Sequence, residues 1–457
     1  MSGLFTSLTN ASSALNAAQY GLDITGQNIA NMNTEGYARR AVTLVEVPAP
    51  DGKSGGTVDI GGVQALRDGL LEGRLRTELG AQGQQGSIAN ALGVVETALG
   101  STGSSLDASL SAFFNSWGQL SADPTSVVAR SSVLAQGSQL ASTFNALSAR
   151  FDGAGQNADA EVRSGVTQIN ALAGQIATLN ASIGGATGAE AQALQDKENT
   201  ALKTLAGLAN ITVMTRADGG ADVTIGNGRA LVVGANQYAL GLSSTPPSGY
   251  AAITTTGGVD ITSEMTSGSV GGVLRVRDTL LPDYKSQLDQ IAFTVAQQVN
   301  TAHQAGYDLN GAAGQAFFTP IAAAAGAAAA ISVNPTVAGD VDLVAASGTG
   351  TTGDNSNAKT LFDLQNARVV NGTATFVNAW SQLVYKVGSD TATAQTGETT
   401  AQDVVTAVQQ LRDSISGVSL DQEATNMLMY QRAYQANAKY FNTVNSTLDT
   451  LMAMAGN

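Results

Sequence analysis

The stretch that organises the chain is residues 417–457, which read GVSLDQEATNMLMYQRAYQANAKYFNTVNSTLDTLMAMAGN. Mostly apolar or small side chains recur in alternating steps of four and three residues, which predicts an amphipathic helix with a coiled-coil seam. At about 1.5 Å per residue this helix would be roughly 50 Å long, so it needs a partner along its length. The seam comprises Leu420, Ala424, Met427, Gln431, Tyr434, Ala438, Phe441, Asn445, Leu448, Met452 and Ala455.

Two seam positions are polar, Gln431 and Asn445. Either they are exposed and simply tolerated, or they fix the register of the pairing at a cost in stability, as polar seam residues do in coiled coils. The spacing leaves both interpretations open.

The N-terminal segment repeats the same spacing and is the predicted partner. Its only charged side chain between Met1 and Thr34 is Asp23, so it expects neighbours on several sides rather than solvent. Gly21 and Gly26 each cost about 1 kcal/mol relative to alanine inside a helix. We therefore predict terminal helices that are loose in the monomer and become ordered on assembly. The N-terminal seam comprises Leu4, Leu8, Ala11, Leu15, Ala18, Leu22, Thr25, Ile29 and Met32.

The apolar seam residues are the predicted assembly interface. Leucine and methionine at helical spacing are more often ordinary core, but two matched seams at opposite ends of one chain favour assembly. The predicted interface residues are Leu4, Leu8, Leu15, Leu22, Ile29, Met32, Leu420, Met427, Tyr434, Phe441, Leu448 and Met452.

Composition excludes several classes of protein. The 457 residues carry a net charge of −14 and no basic run, which argues against nucleic acid and anionic membranes as partners. The absence of cysteine excludes disulfides and thiolate metal sites. The N-terminus lacks the features of a secretory signal peptide, and the longest apolar run, residues 321–331, is too short to span a bilayer.

The middle of the chain is predicted to be mainly α-helical with an inserted antiparallel β module. Helical spacing runs from Val63 to Leu208, with apolar stripes from Leu106 to Leu120 and from Val162 to Ile183, and resumes at Leu281. Short alternating runs between Ile211 and Thr254, one of them from Gln237 to Leu242, predict strands. Residues 315–356 are ambiguous, with strand-like stretches at 331–333 and 341–345. We predict an elongated, nested rod with both termini at one end and the β module at the far end. Its units are a terminal coiled coil (1–38 with 417–457), a helical rod domain (39–210 with 275–416) and a β outer domain (211–274).

Few residues point to catalysis or to a cofactor. His303 is the only imidazole, and its position favours a helix-end or core histidine over a catalytic base. Residues 308–311 resemble a fragment of a calcium loop but lack the remaining ligands. Gly348, Gly350 and Gly353 have dinucleotide-loop spacing in a context that favours an ordinary loop. We predict no enzyme activity, no cofactor and no metal site.

Two terminal motifs resemble bacterial flagellar rod, hook and hook-associated proteins. The first runs from Gly26 to Tyr37, the second from residue 416 to residue 439, and the segment Gly271 to Phe318 also resembles the hook-associated members. Gln27 departs from the family, which often has histidine there, and the chain is shorter than is typical. The motif residues carried over are Asn28, Asn31, Asn33, Thr34, Gly36, Tyr37, Gln431, Tyr434 and Asn437.

The resemblance implies a structural protein that joins the flagellar hook to the filament. Implied partners are further copies of the chain, hook protein, hook-associated protein 3 and an export chaperone on the C-terminal helix. The location would be extracellular, on the flagellum, reached by type III export without a cleaved signal peptide. Alternatives are another axial protein of hook or rod type, a secreted coiled-coil scaffold and, least favoured, a secreted hydrolase with its site in residues 211–356.

Overall fold

The computed structural model describes residues 2–34, 36–48, 56–99, 105–244 and 249–455, and most of them are helical. The helices are α1 (Ser2–Ala30), α2 (Gly69–Leu99), α3 (Leu106–Ala122), α4 (Val127–Ile183), α5 (Gly188–Leu208), α6 (Gly268–Arg275), α7 (Leu281–Gln304), α8 (Ala327–Ala330), α9 (Pro335–Gly339), α10 (Ser356–Asp363), α11 (Phe376–Ser416) and α12 (Leu420–Ala455). The predicted mainly α fold with an inserted antiparallel β module is confirmed.

The strands form three small antiparallel sheets. A hairpin follows α1, a four-stranded meander follows α5, and a second hairpin completes the β module. The alternating runs predicted in this module are all extended, except that the run from Gln237 to Leu242 is split between two strands. The strands are β1 (Arg40–Val47), β2 (Thr57–Ala65), β3 (Ile211–Thr215), β4 (Ala221–Ile225), β5 (Arg229–Val233), β6 (Asn236–Gln237), β7 (Gly241–Ser244) and β8 (Ala251–Thr254).

The terminal helices α1 and α12 pack against each other, as their matched seams predict. They approach closely at Gly21, where an added Cβ would lie only 2.5 Å from Cε1 of Tyr430. Gly26 has nothing within 4 Å of the same added atom. Of Gly21 and Gly26, only Gly21 is therefore required by packing.

An aromatic core lies between α2, α3, the first half of α4, α7 and α11. Trp117 is fully buried, and its ring lies 5.6 Å from that of Phe317 and 5.9 Å from that of His303. Phe113 packs edge-on against Trp117. Burying several large rings together contributes strongly to the free energy of folding.

A second core joins the other half of α4 to the β module. The stripe predicted from Val162 to Ile183 is buried here, against α5 and the inner faces of the strands. Because α4 has 57 residues, it runs about 85 Å and contributes to both cores.

Contacts along α2 give the order of the regions and correct one prediction. Near its start, Glu72 pairs with Arg412 close to the terminal domain, whereas Gly83 meets the end of α5 halfway along. Leu92, closer to the C-terminal end of α2, lies in the aromatic core. The β module therefore sits beside the middle of the rod, and the prediction that it occupies the far end from the termini is wrong.

Three local predictions also differ from the structure. Val63 belongs to β2 rather than to a helix, because the run after residue 56 pairs with β1. Residues 341–343 form a 3-10 turn rather than a strand, and Val333 makes only an isolated bridge to Phe318. The predicted division of the chain into three units stays a prediction.

Candidate assembly site

Asn28 is the centre of the first terminal motif, and only 1% of it is exposed. Its Nδ2 donates to the carbonyl oxygen of Arg40 at 2.9 Å and to Oε2 of Glu423 at 3.1 Å. Its Oδ1 accepts from the Arg40 N–H at 3.0 Å and from the Tyr37 hydroxyl at 2.8 Å. Every hydrogen-bonding position of the amide is filled, so this one side chain joins α1, β1 and α12.

Glu423 of α12 is also 1% exposed and is held by a cation as well as by Asn28. Arg39 Nε lies 2.6 Å from Oε1 of Glu423, and the Arg39 N–H donates to the carbonyl oxygen of Ser416 at 2.9 Å. A buried carboxylate requires such partners. The turn after α1 is thus fixed to both ends of the α11–α12 connection.

Arg40 extends the network to α5. Its Nη2 lies 2.9 Å from Oδ2 of Asp196, and its guanidinium stacks over the Tyr37 ring at 4.9 Å. Arg67 also pairs with Asp196. Burial raises the pKa of the Tyr37 phenol. Arg40 and Arg67 share the carboxylate of Asp196, which connects the turn after α1 (the motif turn) to α5.

The motif turn itself is shaped by Asn31, Thr34 and Gly36. Asn31 donates to the Gln27 carbonyl oxygen at 2.9 Å and accepts from the Thr34 hydroxyl at 3.2 Å. Gly36 has a φ of +81°, and an added Cβ would lie 2.4 Å from Oγ1 of Thr200. Only glycine fits that conformation and that space. Glu35, within the same motif, lies outside the described residues.

A second charged cluster ties α2 to α5 and α11. Glu72 lies 2.8 Å from Arg412 Nε and 3.0 Å from Lys203 Nζ. Burial opposes ionisation of the Glu72 carboxyl, but Lys203 and Arg412 outweigh it and hold its pKa below the usual value. Glu72 therefore remains a carboxylate that holds three helices together.

Sequence reasoning missed the charged partners Glu423, Arg40, Asp196 and Glu72. One signal was available: Arg39 and Arg40 directly follow a segment almost free of charge, and such charges need acceptors. The acceptors themselves lie hundreds of residues away, so spacing could not identify them.

The face of α12 that meets α1 is rotated from the predicted seam. It centres on Glu423, Tyr430, Val444 and Leu448. Of the predicted interface residues, Leu4, Leu8, Leu15, Leu22, Ile29, Met427 and Phe441 are half-buried, Leu448 is buried, and Met32, Leu420, Tyr434 and Met452 are exposed. The polar positions Gln431 and Asn445 are exposed too. Their role at an interface between copies stays a prediction.

Both flanks of α12 beside that face carry exposed apolar side chains. At 100° per residue, Leu420 lies on one flank, Met429, Tyr440 and Met454 lie on the other, and Leu428 lies almost opposite α1. Leu428 is 56% exposed and Met454 is 72% exposed. Exposed large apolar side chains clustered on one element are typical of interaction sites. Within one chain, α12 is covered on one side only.

The motif residues fall into two groups. Asn28, Asn31, Thr34 and Tyr37 are hydrogen-bonded within the chain. The second group is Asn33, Gln431, Tyr434 and Asn437. Their side chains have no hydrogen-bond partner among the residues that the structure describes. The first group holds the terminal domain together, and the second is free for contacts with other molecules.

The residues considered for catalysis or ligand binding have structural roles. His303 is fully buried at the end of α7, with Nδ1 2.6 Å from the Gln315 carbonyl oxygen and Nε2 accepting from the Ala345 N–H at 2.9 Å. Burial lowers its pKa to about 4, so it is neutral. The prediction of a core histidine at a helix end is confirmed.

The two loops with ligand-like spacing are occupied by their own carboxylates. In the glycine-rich loop, the N–H groups of Gly348 and Thr349 donate to Asp354 at 2.8 and 2.9 Å, so they do not face a phosphate. Asp308 accepts from the N–H groups of Asn310 and Ala312, both at 2.9 Å. Among the described residues, no cluster of three or more candidate ligands could hold a metal, and no helix is long and apolar enough to cross a membrane.

Three family models match the chain. The helical domain of flagellar hook-associated protein FlgK matches residues 92–318. The flagella basal body rod protein model matches residues 8–37, and the C-terminal model of flagellar basal body rod FlgEFG proteins matches residues 409–454. The terminal matches contain the two motifs described above.

Relatives match over nearly the whole chain. Flagellar hook-associated protein 1 of Escherichia coli K12 is 28% identical over 97% of this chain and 99% of the relative. The Bacillus subtilis 168 protein of the same name is 27% identical over 99% and 98%. The first alignment spans 543 positions against the 457 residues here, so that relative carries segments that this chain lacks.

A solved structure has the same fold. The flagellar hook junction protein FlgK from Burkholderia pseudomallei superposes with a TM-score of 0.67 at 16% identity, over 75% of this chain and 100% of that one. The models, the near full-length relatives and the fold agree with the motif geometry at both termini. The chain belongs to the flagellar hook-associated protein 1 family, structural proteins of the axial part of the bacterial flagellum.

Proposed function

We propose that copies of this chain form the layer that joins the flagellar hook to the filament, with the α1–α12 pairs packed side by side. The observation that carries the proposal is the exposure of apolar side chains on both flanks of α12, since a subunit inside a closed or helical layer needs two neighbours. The role is structural rather than catalytic.

The contact residues of that layer would be the exposed and half-buried seam residues together with the unpaired motif residues. Leu420, Tyr434 and Met452 would be covered by a neighbouring copy, and Asn33 and Gln431 would find hydrogen-bond partners there. Half-buried residues such as Leu8 and Leu15 would lose their remaining exposure in the same step.

The assembly mechanism would be ordering of the terminal helices as neighbours cover them. Outside the Asn28 hub (Asn28, Tyr37, Arg40 and Glu423), several of the buried side chains of α1 are small, such as Ala11, Ala17 and Ala18, and each buries little apolar area. Such a contact stabilises a helix pair only weakly, so the free ends would be loosely held and would become ordered on burial.

Loose ends would also suit export through a narrow channel without a cleaved signal peptide. During export, a chaperone would cover the exposed apolar side chains of α12, including Leu428 and Met429. After export, those side chains would contact the neighbouring subunits. We further propose hook protein on one side of the layer and hook-associated protein 3 on the other.

Electron microscopy of a strain that lacks the gene tests the junction role. Hooks without filaments, with filament protein shed into the medium, are expected, and normal filaments would contradict the proposal. Complementation then locates the contact surface. Leu428→Asp on the exposed side of α12 should fail to restore filaments, whereas Val127→Asp, an equally exposed position at the start of α4, should restore them.

A further inference from the structure

Glu198 of α5 is a buried carboxyl group without a cationic partner. It is 3% exposed, and it forms no ion pair with any residue that the structure describes. Its Oε1 accepts from the Ala221 N–H at 3.0 Å, but the same N–H also donates to Oδ1 of Asn180 at 2.8 Å. A shared hydrogen bond is poor compensation for a buried negative charge.

The groups around Glu198 come from three directions. Asp218 lies in the turn between β3 and β4, Arg67 lies between β2 and α2, and Asn180 faces it from α4. Burial raises the pKa of Glu198 to about 7. The Ala221 N–H and Arg67 only partly offset the burial, and Asp218 adds to the rise. The carboxyl group thus changes charge near neutral pH.

Arg67 already forms an ion pair with another carboxylate, and one of its nitrogen donors is not used. It pairs with Asp196, which also holds Arg40 of the motif turn at 2.9 Å. Among the described residues, the buried Nε of Arg67 has no acceptor. Arg67 therefore forms an ion pair with one acid, Asp196, while its charge also acts on a second acid, Glu198, which has no ion pair with a described residue.

We propose that Glu198 is a pH-operated switch that changes the partner of Arg67 and so couples the β module to the Asn28 hub. When Glu198 is protonated, Arg67 pairs with Asp196, and Asp196 holds Arg40 in place. When Glu198 releases its proton to solvent, its carboxylate draws Arg67 toward the β3–β4 turn. Asp196 then loses the partner on Oδ1 that fixes its carboxylate for Arg40 at Oδ2, and the motif turn loosens.

Hydrogen exchange at about pH 6 and about pH 8, corrected for intrinsic rates, tests this coupling. In the wild-type chain, protection of residues 36–48 should fall several-fold at the higher pH. Glu198→Gln keeps the acceptor oxygen for Ala221 but cannot ionise, so its protection should be the same at both values. An equal loss of protection in Glu198→Gln would overturn the proposal.

A carbon-13 NMR titration of the Glu198 carboxyl group gives an independent test in the wild-type chain. Arg67→Met should raise its midpoint because a neighbouring positive charge is lost, and Asp218→Asn should lower it because a negative charge is lost. An ordinary carboxyl midpoint, or one that Arg67→Met leaves unchanged, would overturn the switch.

Discussion

The core around Trp117 is enclosed on every side by its own chain, whereas the α1–α12 pair is covered on one side only. In the aromatic core, Phe113, Phe114 and Phe317 are all essentially inaccessible to solvent. On α12, side chains of similar hydrophobicity, such as Leu428 and Met454, are more than half exposed. Both regions are helical, so helical character alone does not distinguish a self-contained domain from a subunit interface.

The difference separates folding from assembly. A region closed within the chain contributes to the free energy of unfolding of the monomer, and a region left open contributes mainly to binding. The Asn28 hub lies between the two regions, because its hydrogen bonds connect the α1–α12 pair to β1. Substitutions in the two regions should therefore affect different measurements.

The largest expected effect is on the closed region. Phe113→Ala removes a fully buried ring and should lower the free energy of unfolding by about 3–5 kcal/mol. Leu428→Ala on the exposed side of α12 should change it by less than about 0.5 kcal/mol. Denaturant unfolding followed by tryptophan fluorescence compares them, because Trp117 and Trp380 both lie in the body. Equal losses of unfolding free energy in the two variants would mean that the aromatic core and the exposed side of α12 contribute alike to the stability of the monomer.

Acid should weaken the body through His303. Its folded-state pKa is about 4, below the ordinary value of 6.5, so the unfolded state binds the proton first. This contribution is complete above about pH 6.5 and is lost as the pH falls toward 4, to a total of roughly 3 kcal/mol. The α1–α12 pair has no histidine. The difference between wild type and His303→Gln isolates the effect, and parallel pH profiles would contradict it.

Loss of the Asn28 hub should be smaller and confined to the boundary. Asn28→Ala leaves Tyr37 and the backbone of Arg40 without their partner and removes one of the two partners of Glu423, at a cost of about 2 kcal/mol. Asn33→Ala, at an exposed and unbonded position, should leave stability unchanged. Hydrogen exchange of β1, whose first residue bonds to Asn28, would reveal the loss. If the two variants behave alike, the hub does not hold the terminal domain together.

The two helix glycines should have opposite effects. Gly21→Ala forces the Tyr430 ring away and should destabilise the helix pair by about 1–2 kcal/mol. Gly26→Ala meets open space and should stabilise α1 by about 1 kcal/mol. Helix content of the monomer on heating reports both changes. Effects of the same sign would mean that α1 and α12 do not approach at Gly21.

Sequence periodicity predicted the fold where one face of an element is buried by its own chain. The stripe Leu106, Leu110, Phe113, Trp117 and Leu120 is wholly buried, and the strands of the β module lie close to the predicted runs. Periodicity works there because burial on a regular element must recur with its geometric period.

The remainder depends on contacts that periodicity does not encode. The side of α12 that meets α1 differs from the predicted seam because α12 carries apolar residues on more than one side, so the pattern does not identify which side is inside. Likewise, no periodicity predicts the π-helical turn at residues 276–280, in which the Leu281 N–H donates to the Val276 carbonyl oxygen just before Pro282. The Asn28–Glu423 bond joins residues 395 positions apart.

Hydrogen exchange of the terminal helices before and after assembly tests the central claim most directly. Residues 2–30 and 420–455 should exchange rapidly in the free monomer, while α3 and α7 in the aromatic core are strongly protected. In the assembled layer, the terminal helices should become as slow as the core. Strong protection of both regions in the monomer would contradict the claim that the α1–α12 pair is completed only by its neighbours.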